Sequence, residues 1–397
     1  MGGVRASALA EEYGTPLVAY CRETILARAR AYARVDPEAL LVYGTKAFPN
    51  VALLRLLAAQ GLGADVSTRG ELEFALRAGI PGDRIVFHGN NKSDEELGAA
   101  AAAGALVVLD ALDEAARAKA AGVATVLIRL TPGIDAETHR AIQTAHAESK
   151  FGIVADDAVA AVREARSVGL DVAGLHVHIG SQLTRSAESL LAVERLVDVA
   201  LHCRAELDWT ARIFDLGGGL AVRHSLAESV PAPEDFAREL LLRLRRHWPE
   251  PARVIFEPGR SLVGSAGFTL YRIGGVKRTT GVAYAAVDGG MSDNPRPQLY
   301  GSRYEALLAN RADEPAAGTF RIAGKHCESG DVLIDSVELP TPHRDDLLAV
   351  PATGAYTLAM ASNYNGVPRP AAVLVADGGA ELIRRRETTG DLLAFEP

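Results

Sequence analysis

The segment GKHCESGD, residues 324 to 331, crowds a cysteine, a glutamate and an aspartate into one glycine-bounded loop. Cys327 could be a nucleophile, a metal ligand, a proton donor or an inert thiol, and its own neighbours leave all four open. Four other segments narrow the choice. LLVYGTKAF ends an apolar run on Lys46, in a chain with only six lysines. An amine desolvated at such a strand end is a credible Schiff-base former. IFDLGGGL carries Gly217, Gly218 and Gly219, whose bare backbone suits a phosphate. RVIFEPGR adds Glu257, Pro258, Gly259 and Arg260, the arginine matching phosphate as a two-pronged donor. The glycine order fits neither GxGxxG nor a Walker loop, which disfavours a dinucleotide or ATP. A lysine facing a phosphate cradle points instead to pyridoxal phosphate, with Glu257 available for the ring nitrogen. HVHIGSQ supplies His176, His178 and Ser181. His178 can stack on a cofactor ring. The rival reading of HxH is a metal pair on one strand face. It is the weaker one, because the later strand ends carry glycines, Glu257 and Arg260 rather than further metal ligands. His176 alone reads equally well as a core histidine.

These residues must be held by something regular. Between residues 40 and 260 eight short apolar runs recur: LLVYG, GADVS, RIVFHG, LVVLD, TVLIRL, VAGLHVHI, IFDLG and RVIFE. Helical stretches such as RGELEFALRAG and AESLLAVERLVDVALHCRAEL lie between them. Strand–helix alternation predicts parallel βα units. Eight of them favour a (β/α)8 barrel over an open doubly wound sheet, and a barrel places chemistry at the C-terminal strand ends. Lys46, Asp65, Arg129, His176, His178, the 217–219 glycines and Glu257 all fall at those ends. After residue 265 the texture becomes β: TLYRIGGV, VAYAAVDGG, TFRIAGKHC, VLIDSVEL, LLAVPATG and AAVLVADGGAELIRRRET, with YEALLAN the one helical-looking segment. The expected class is therefore α/β plus β, with a barrel over residues 22–264 and a β domain over 265–397. PLVAY, within residues 2–21, is expected to lend the β domain a strand.

At 397 residues the chain has room for two cores. A net charge of −8 argues against nucleic acid or an anionic membrane as partner. Three scattered cysteines without CxxC spacing suit a reducing cytoplasm. MGGVRASALAEEYG has no signal-peptide pattern, and no apolar stretch is long enough to cross a bilayer.

Together, YGTKAF, GADVSTRGEL, HGNNKS, KFGI, HVHIGSQ, LGGGL, EPGR, DGGMSDNPRPQLY, GKHCESGD and PATGAYTLAMASNYN resemble the diaminopimelate decarboxylase family. The likeness runs nearly end to end. It implies a pyridoxal phosphate-binding barrel with a C-terminal β domain, as in alanine racemase. The implied activity is decarboxylation of meso-diaminopimelate to L-lysine, the last step of lysine biosynthesis. It also implies a homodimer with shared active sites, to which Cys327 and Glu328 come from the partner chain. By resemblance Lys46 carries the cofactor. Asp65, His178, Ser181, Gly217 to Gly219, Glu257, Pro258, Gly259, Arg260 and Tyr356 surround it. Arg260, Arg296, Tyr300, Glu328 and Tyr356 match substrate contacts, and Cys327 matches the proton donor. No metal is implied, and Asp331 reads as a structural turn residue. Two alternatives stay open: a related decarboxylase for another D-configured or carrier-bound amino acid, and a pyridoxal phosphate-binding protein without decarboxylase activity.

Overall fold

A computed structural model describes residues 2–134, 149–225 and 227–397. They divide into two compact units, one of Ala27–Ala221 with Ser229–Ser261, the other of Met1–Leu26, Val222–Glu228 and Leu262–Pro397.

The first unit is a closed parallel barrel. Its strands are Leu40–Gly44, Gly63–Val66, Ile85–Phe87, Leu106–Leu109, Thr125–Thr131, Asp171–Val177, Ile213–Asp215 and Arg253–Phe256. Each pairs in parallel with the next, and Arg253–Phe256 returns to Leu40–Gly44. That last pairing rules out the open sheet. The intervening helices are capped by their own sequence. Thr68 accepts from the Glu71 backbone, and Ser93 with Glu96 forms a capping box before a helix that ends on left-handed Gly104.

One side-chain parity faces the barrel interior. Leu40, Val42, Val86, Leu106, Val108, Leu127, Ala173, Ile213 and Ile255, drawn from seven strands, pack into a single apolar cluster. Since strand side chains alternate, the residue two places further on points the same way. Two places after Gly63, Val86, Val108, Leu127, Ile213 and Ile255 stand Asp65, His88, Asp110, Arg129, Asp215 and Glu257, all buried. The interior is therefore an apolar plug beneath a charged ring at the C-terminal strand ends.

The second unit is a mixed sheet. Leu17–Cys21 lies inside it, antiparallel to Gly267–Thr279 and parallel to Ala371–Ala376, with all five residues buried. YEALLAN is not a helix. Leu307–Leu308 is instead a short strand antiparallel to Leu347–Pro351. Tyr304, Ala306 and Leu308 pack into the core while Leu307 is exposed, so burial alternates with period two and overrides the helix-forming composition. The local helix is Arg296–Tyr300, with Pro297 in its first turn. Among the described residues, no helix is long and apolar enough to cross a membrane.

Candidate active site

Lys46 sits in the one-turn helix Thr45–Ala47 that follows the first barrel strand. Its Nζ donates to Asp65 Oδ2 at 2.5 Å. Asp65 Oδ1 is 3.8 Å from His88 Nε2, and that nitrogen lies 2.5 Å from Glu257 Oε1. Because a carboxylate accepts, His88 carries its proton on Nε2. His176 Nε2 stands 3.4 Å from Glu257 Oε2. Burial works to raise the Glu257 carboxyl, but His88 and His176 together outweigh it and hold the group well below the usual carboxylate range. Asp215 goes the other way: burial first, then the Glu257 charge, push it well above. The ring thus holds one ionised acid, Glu257, beside one that keeps its proton. Burial also lowers the imidazoles, His176 to about 4 and His178 well below its ordinary value, the charge of Lys46 adding to the effect on His178. Both stay neutral at physiological pH. Arg129 pairs with Asp110 at 3.5 Å and lies over the Phe151 ring.

Around this ring the glycine loops close in. A side chain on Gly218 would meet the Glu257 carbonyl at 2.2 Å, and one on Gly219, whose φ is +100°, would meet the Gly180 carbonyl at 2.4 Å. Only glycine lets these backbones approach so closely. Gly218 N donates to His178 Nδ1 at 3.2 Å, and Gly217 N to Asp215 Oδ1 at 3.0 Å. Arg260 Nη2 reaches Ser181 Oγ at 2.9 Å, which places the EPGR and HIGS loops side by side. Pro258 and Gly259 connect Glu257 to Arg260, both buried. Lys46, Asp65, His178, Ser181, Gly217 to Gly219 and the 257–260 loop are thus brought together within the barrel unit.

The remaining candidates belong to the β unit. Cys327 and Glu328 are exposed on a loop fixed from below by Asp331. That buried carboxylate accepts from Met291 N at 2.7 Å, His326 N at 2.9 Å and His326 Nδ1 at 2.7 Å. Cys327 N donates to Asn365 Oδ1 at 3.0 Å. Arg296 is buried, its Nε on Tyr304 Oη and its Nη2 on Ser302 Oγ, both at 3.1 Å, with Tyr300 beneath the guanidinium at 5.3 Å. Tyr356 is half-buried with a φ of +59°.

The pyridoxal-binding domain model of the pyridoxal-dependent decarboxylases matches residues 22–264. Over its whole length the chain is 44% identical to a diaminopimelate decarboxylase of Actinosynnema pretiosum subsp. auranticum, covering 92% of that protein. It belongs to the diaminopimelate decarboxylase family. The corresponding enzyme of Bacillus subtilis is 41% identical over 100% of this chain and 94% of its own. A crystal structure of diaminopimelate decarboxylase from Helicobacter pylori complexed with L-lysine superposes with a TM-score of 0.92, at 30% identity and 98% coverage of both chains.

Diaminopimelate decarboxylases depend on pyridoxal phosphate, and the residues present fit that group. An amine, a side-chain-free cradle beside an arginine, and a buried ionised acid are the three features it requires. His176 Nδ1, Asp65 Oδ1 and Asp215 Oδ2 are buried without a hydrogen-bond partner in the chain, as expected of a wall built to face a polar ligand. His88, His176, Asp215 and Glu257 also bring ligand atoms within 4.8 Å of one another, so the set has metal-like chemistry. It is accounted for as the hydrogen-bonding support of Glu257. His88 and Asp215, which end the RIVFHG and IFD runs, were not among the residues expected from the sequence.

Proposed function

We propose that this chain decarboxylates meso-2,6-diaminopimelate to L-lysine and carbon dioxide. The observation that carries the reading is Lys46 tethered to Asp65 within the same charged ring as ionised Glu257, in a chain alike end to end with diaminopimelate decarboxylases. Pyridoxal phosphate supplies an aldehyde for the substrate amine and an electron sink for the pair left when carbon dioxide departs. Lys46 would provide the amine that holds the cofactor, with Asp65 orienting it. Glu257, held ionised by His88 and His176, would set a negative charge at the ring nitrogen and favour its protonation. His178, neutral, would lie against the ring face. Gly217 to Gly219 and Gly259 would leave room for the phosphate, Ser181 and Arg260 would hold it, and Tyr356 would border the cofactor.

Cys327 returns a proton to the α carbon. Glu328 takes the distal ammonium, while Arg296 and Tyr300 take the distal carboxylate, the Arg296 Nη1 being the nitrogen not engaged by Tyr304 or Ser302. That pairing selects against ornithine and lysine, which lack a distal carboxylate. Cys327 and Glu328 are exposed on a rigidly pinned loop, which supports their serving a neighbouring chain. We therefore assign a two-fold homodimer with shared sites. The barrel domain spans 22–264 and the β domain 265–397, the latter completed by residues 2–21. Three cysteines without a disulfide support a cytoplasmic setting.

The test is an assay of purified protein with added pyridoxal phosphate and meso-diaminopimelate, ornithine or lysine in turn. Carbon dioxide and L-lysine from meso-diaminopimelate alone are expected. Equal or faster turnover of ornithine or lysine would overturn the substrate assignment.

A further inference from the structure

The two oxygens of Glu257 have different surroundings. Oε1 is taken by His88 Nε2–H at 2.5 Å, whereas Oε2 lies 3.4 Å from neutral His176. The same His88 nitrogen is 3.8 Å from Asp65 Oδ1, and Asp65 in turn holds Lys46. His88 itself has little freedom. Its backbone N donates to Val66 O at 2.7 Å, and its ring sits 4.8 Å from that of His176 at 58°. Glu257 shares this buried space with Asp65 and with Asp215, which keeps its proton. Without a donor on Glu257, burial beside the Asp65 charge would favour a proton on it.

We propose that His88 is a positioning residue for the decarboxylation: its Nε2–H captures Glu257 Oε1, fixes the rotation of the carboxylate and leaves Oε2 for the cofactor's ring nitrogen. The inference rests on the pyridoxal phosphate reading above and adds a residue to it. A second consequence follows from Asp65. His88 bridges the acid that serves the ring nitrogen and the acid that serves the lysine amine, so the two ends of the cofactor site share one charged scaffold. The groups facing His88 are Asp65, Glu257 and His176, with Lys46 beyond Asp65.

The test uses His88→Gln, which keeps an N–H donor, and His88→Phe, which keeps a ring and loses the donor. His88→Ala loses the donor in a smaller side chain and separates that loss from misfit. Each holoenzyme is loaded with pyridoxal phosphate carrying nitrogen-15 in the ring, whose resonance reports protonation of that atom. Affinity of each apoprotein for the cofactor is measured alongside. A hydrogen bond to a charged group corresponds to about tenfold to a hundredfold. The Phe and Ala variants should lose roughly that much kcat with KM nearly unchanged. Their ring nitrogen should shift toward the unprotonated resonance, lose its proton at lower pH than in wild type, and bind less tightly. His88→Gln should restore most of both signals. An unchanged resonance and kcat in the donor-less variants, or a Gln variant as impaired as Phe, would overturn the assignment. If the wild-type protein neither decarboxylates nor protonates the ring nitrogen, the parent reading falls, and this inference with it.

Discussion

Lys46 Nζ stands 2.5 Å from Asp65 Oδ2, and the two ends of that pair differ sharply in exposure: 46% for the lysine side chain against 1% for the aspartate. An accessible amine is thus moored to a buried anion. Motion of the amine is restrained while its approach to an aldehyde is left open, which is what a cofactor-carrying lysine needs.

The first prediction tests that amine. Lys46→Ala should abolish the visible absorption of covalently held cofactor together with turnover, since no other lysine can take over from a different strand end. Spectra of wild type and variant, each reconstituted with pyridoxal phosphate, decide it. A variant spectrum indistinguishable from wild type would remove Lys46 from this role.

The second concerns selection. Glu328→Gln and Arg296→Ala should each lower kcat/KM by about tenfold to a hundredfold while cofactor content stays at the wild-type level. Arg296 also braces Tyr304 and Ser302. Thermal unfolding should therefore be measured in parallel, and a normal kcat/KM in a folded Arg296→Ala would refute the distal carboxylate contact.

Whether sites are shared can be read from mixed subunits. If the chain forms the proposed two-fold dimer, Lys46→Ala and Cys327→Ala dimers each carry two defective sites. Refolded together in equal amounts, half the dimers are mixed, and each mixed dimer has one intact site if Cys327 serves the partner's barrel. Recovery of about one quarter of wild-type activity is then expected. No recovery, with exchange verified by labelled chains, would mean that the loop serves its own barrel.

The Cys327 loop also depends on Gly324. A side chain there would lie 2.1 Å from Asp331 Oδ2, a carboxylate already fixed on Met291 and His326. Gly324→Ala should cost about 1–3 kcal/mol of stability as an overpacked site. It should also depress kcat without loss of cofactor. Urea denaturation and cofactor titration check both halves, and an unaltered midpoint and kcat would deny the loop its anchor.

Stability should also carry a signature of Asp293. Burial raises its carboxyl to about 7, more than its hydrogen bonds from Tyr271 and the Gly290 backbone lower it. The folded state therefore binds a proton that the unfolded state has released, and this contribution is lost as pH rises from about 4 toward 7. Asp293→Asn, which cannot ionise, should gain stability relative to wild type as pH rises from 5 to 8. Urea midpoints at both pH values measure the difference, and a constant offset would contradict it.

Much of this was legible in the sequence because barrel strands are buried on both faces and read as unbroken Val, Ile and Leu runs. Lys46, His178 and Glu257 could be found simply as polar residues ending those runs. The same property hid His88 and Asp215. Within a continuous apolar run nothing marks which parity faces the axis, and only closure of the ring identifies Val86 and Ile213 as interior and their second neighbours as members of the charged layer. YEALLAN failed for the opposite reason. Glu, Ala and Leu favour a helix locally, but Tyr304, Ala306 and Leu308 bury at alternate positions against a sheet supplied by distant sequence.

The strand Leu17–Cys21 joins Gly267–Thr279 on one side and Ala371–Ala376 on the other. Its two neighbours are synthesised long after it, so it must wait through translation of the whole barrel before either edge can be paired. The β unit is accordingly not a portable module. A fragment beginning at residue 262 would contain a gap in the middle of its sheet, with two unsatisfied edges facing each other across it, and would need the Leu17–Cys21 segment supplied in trans to close.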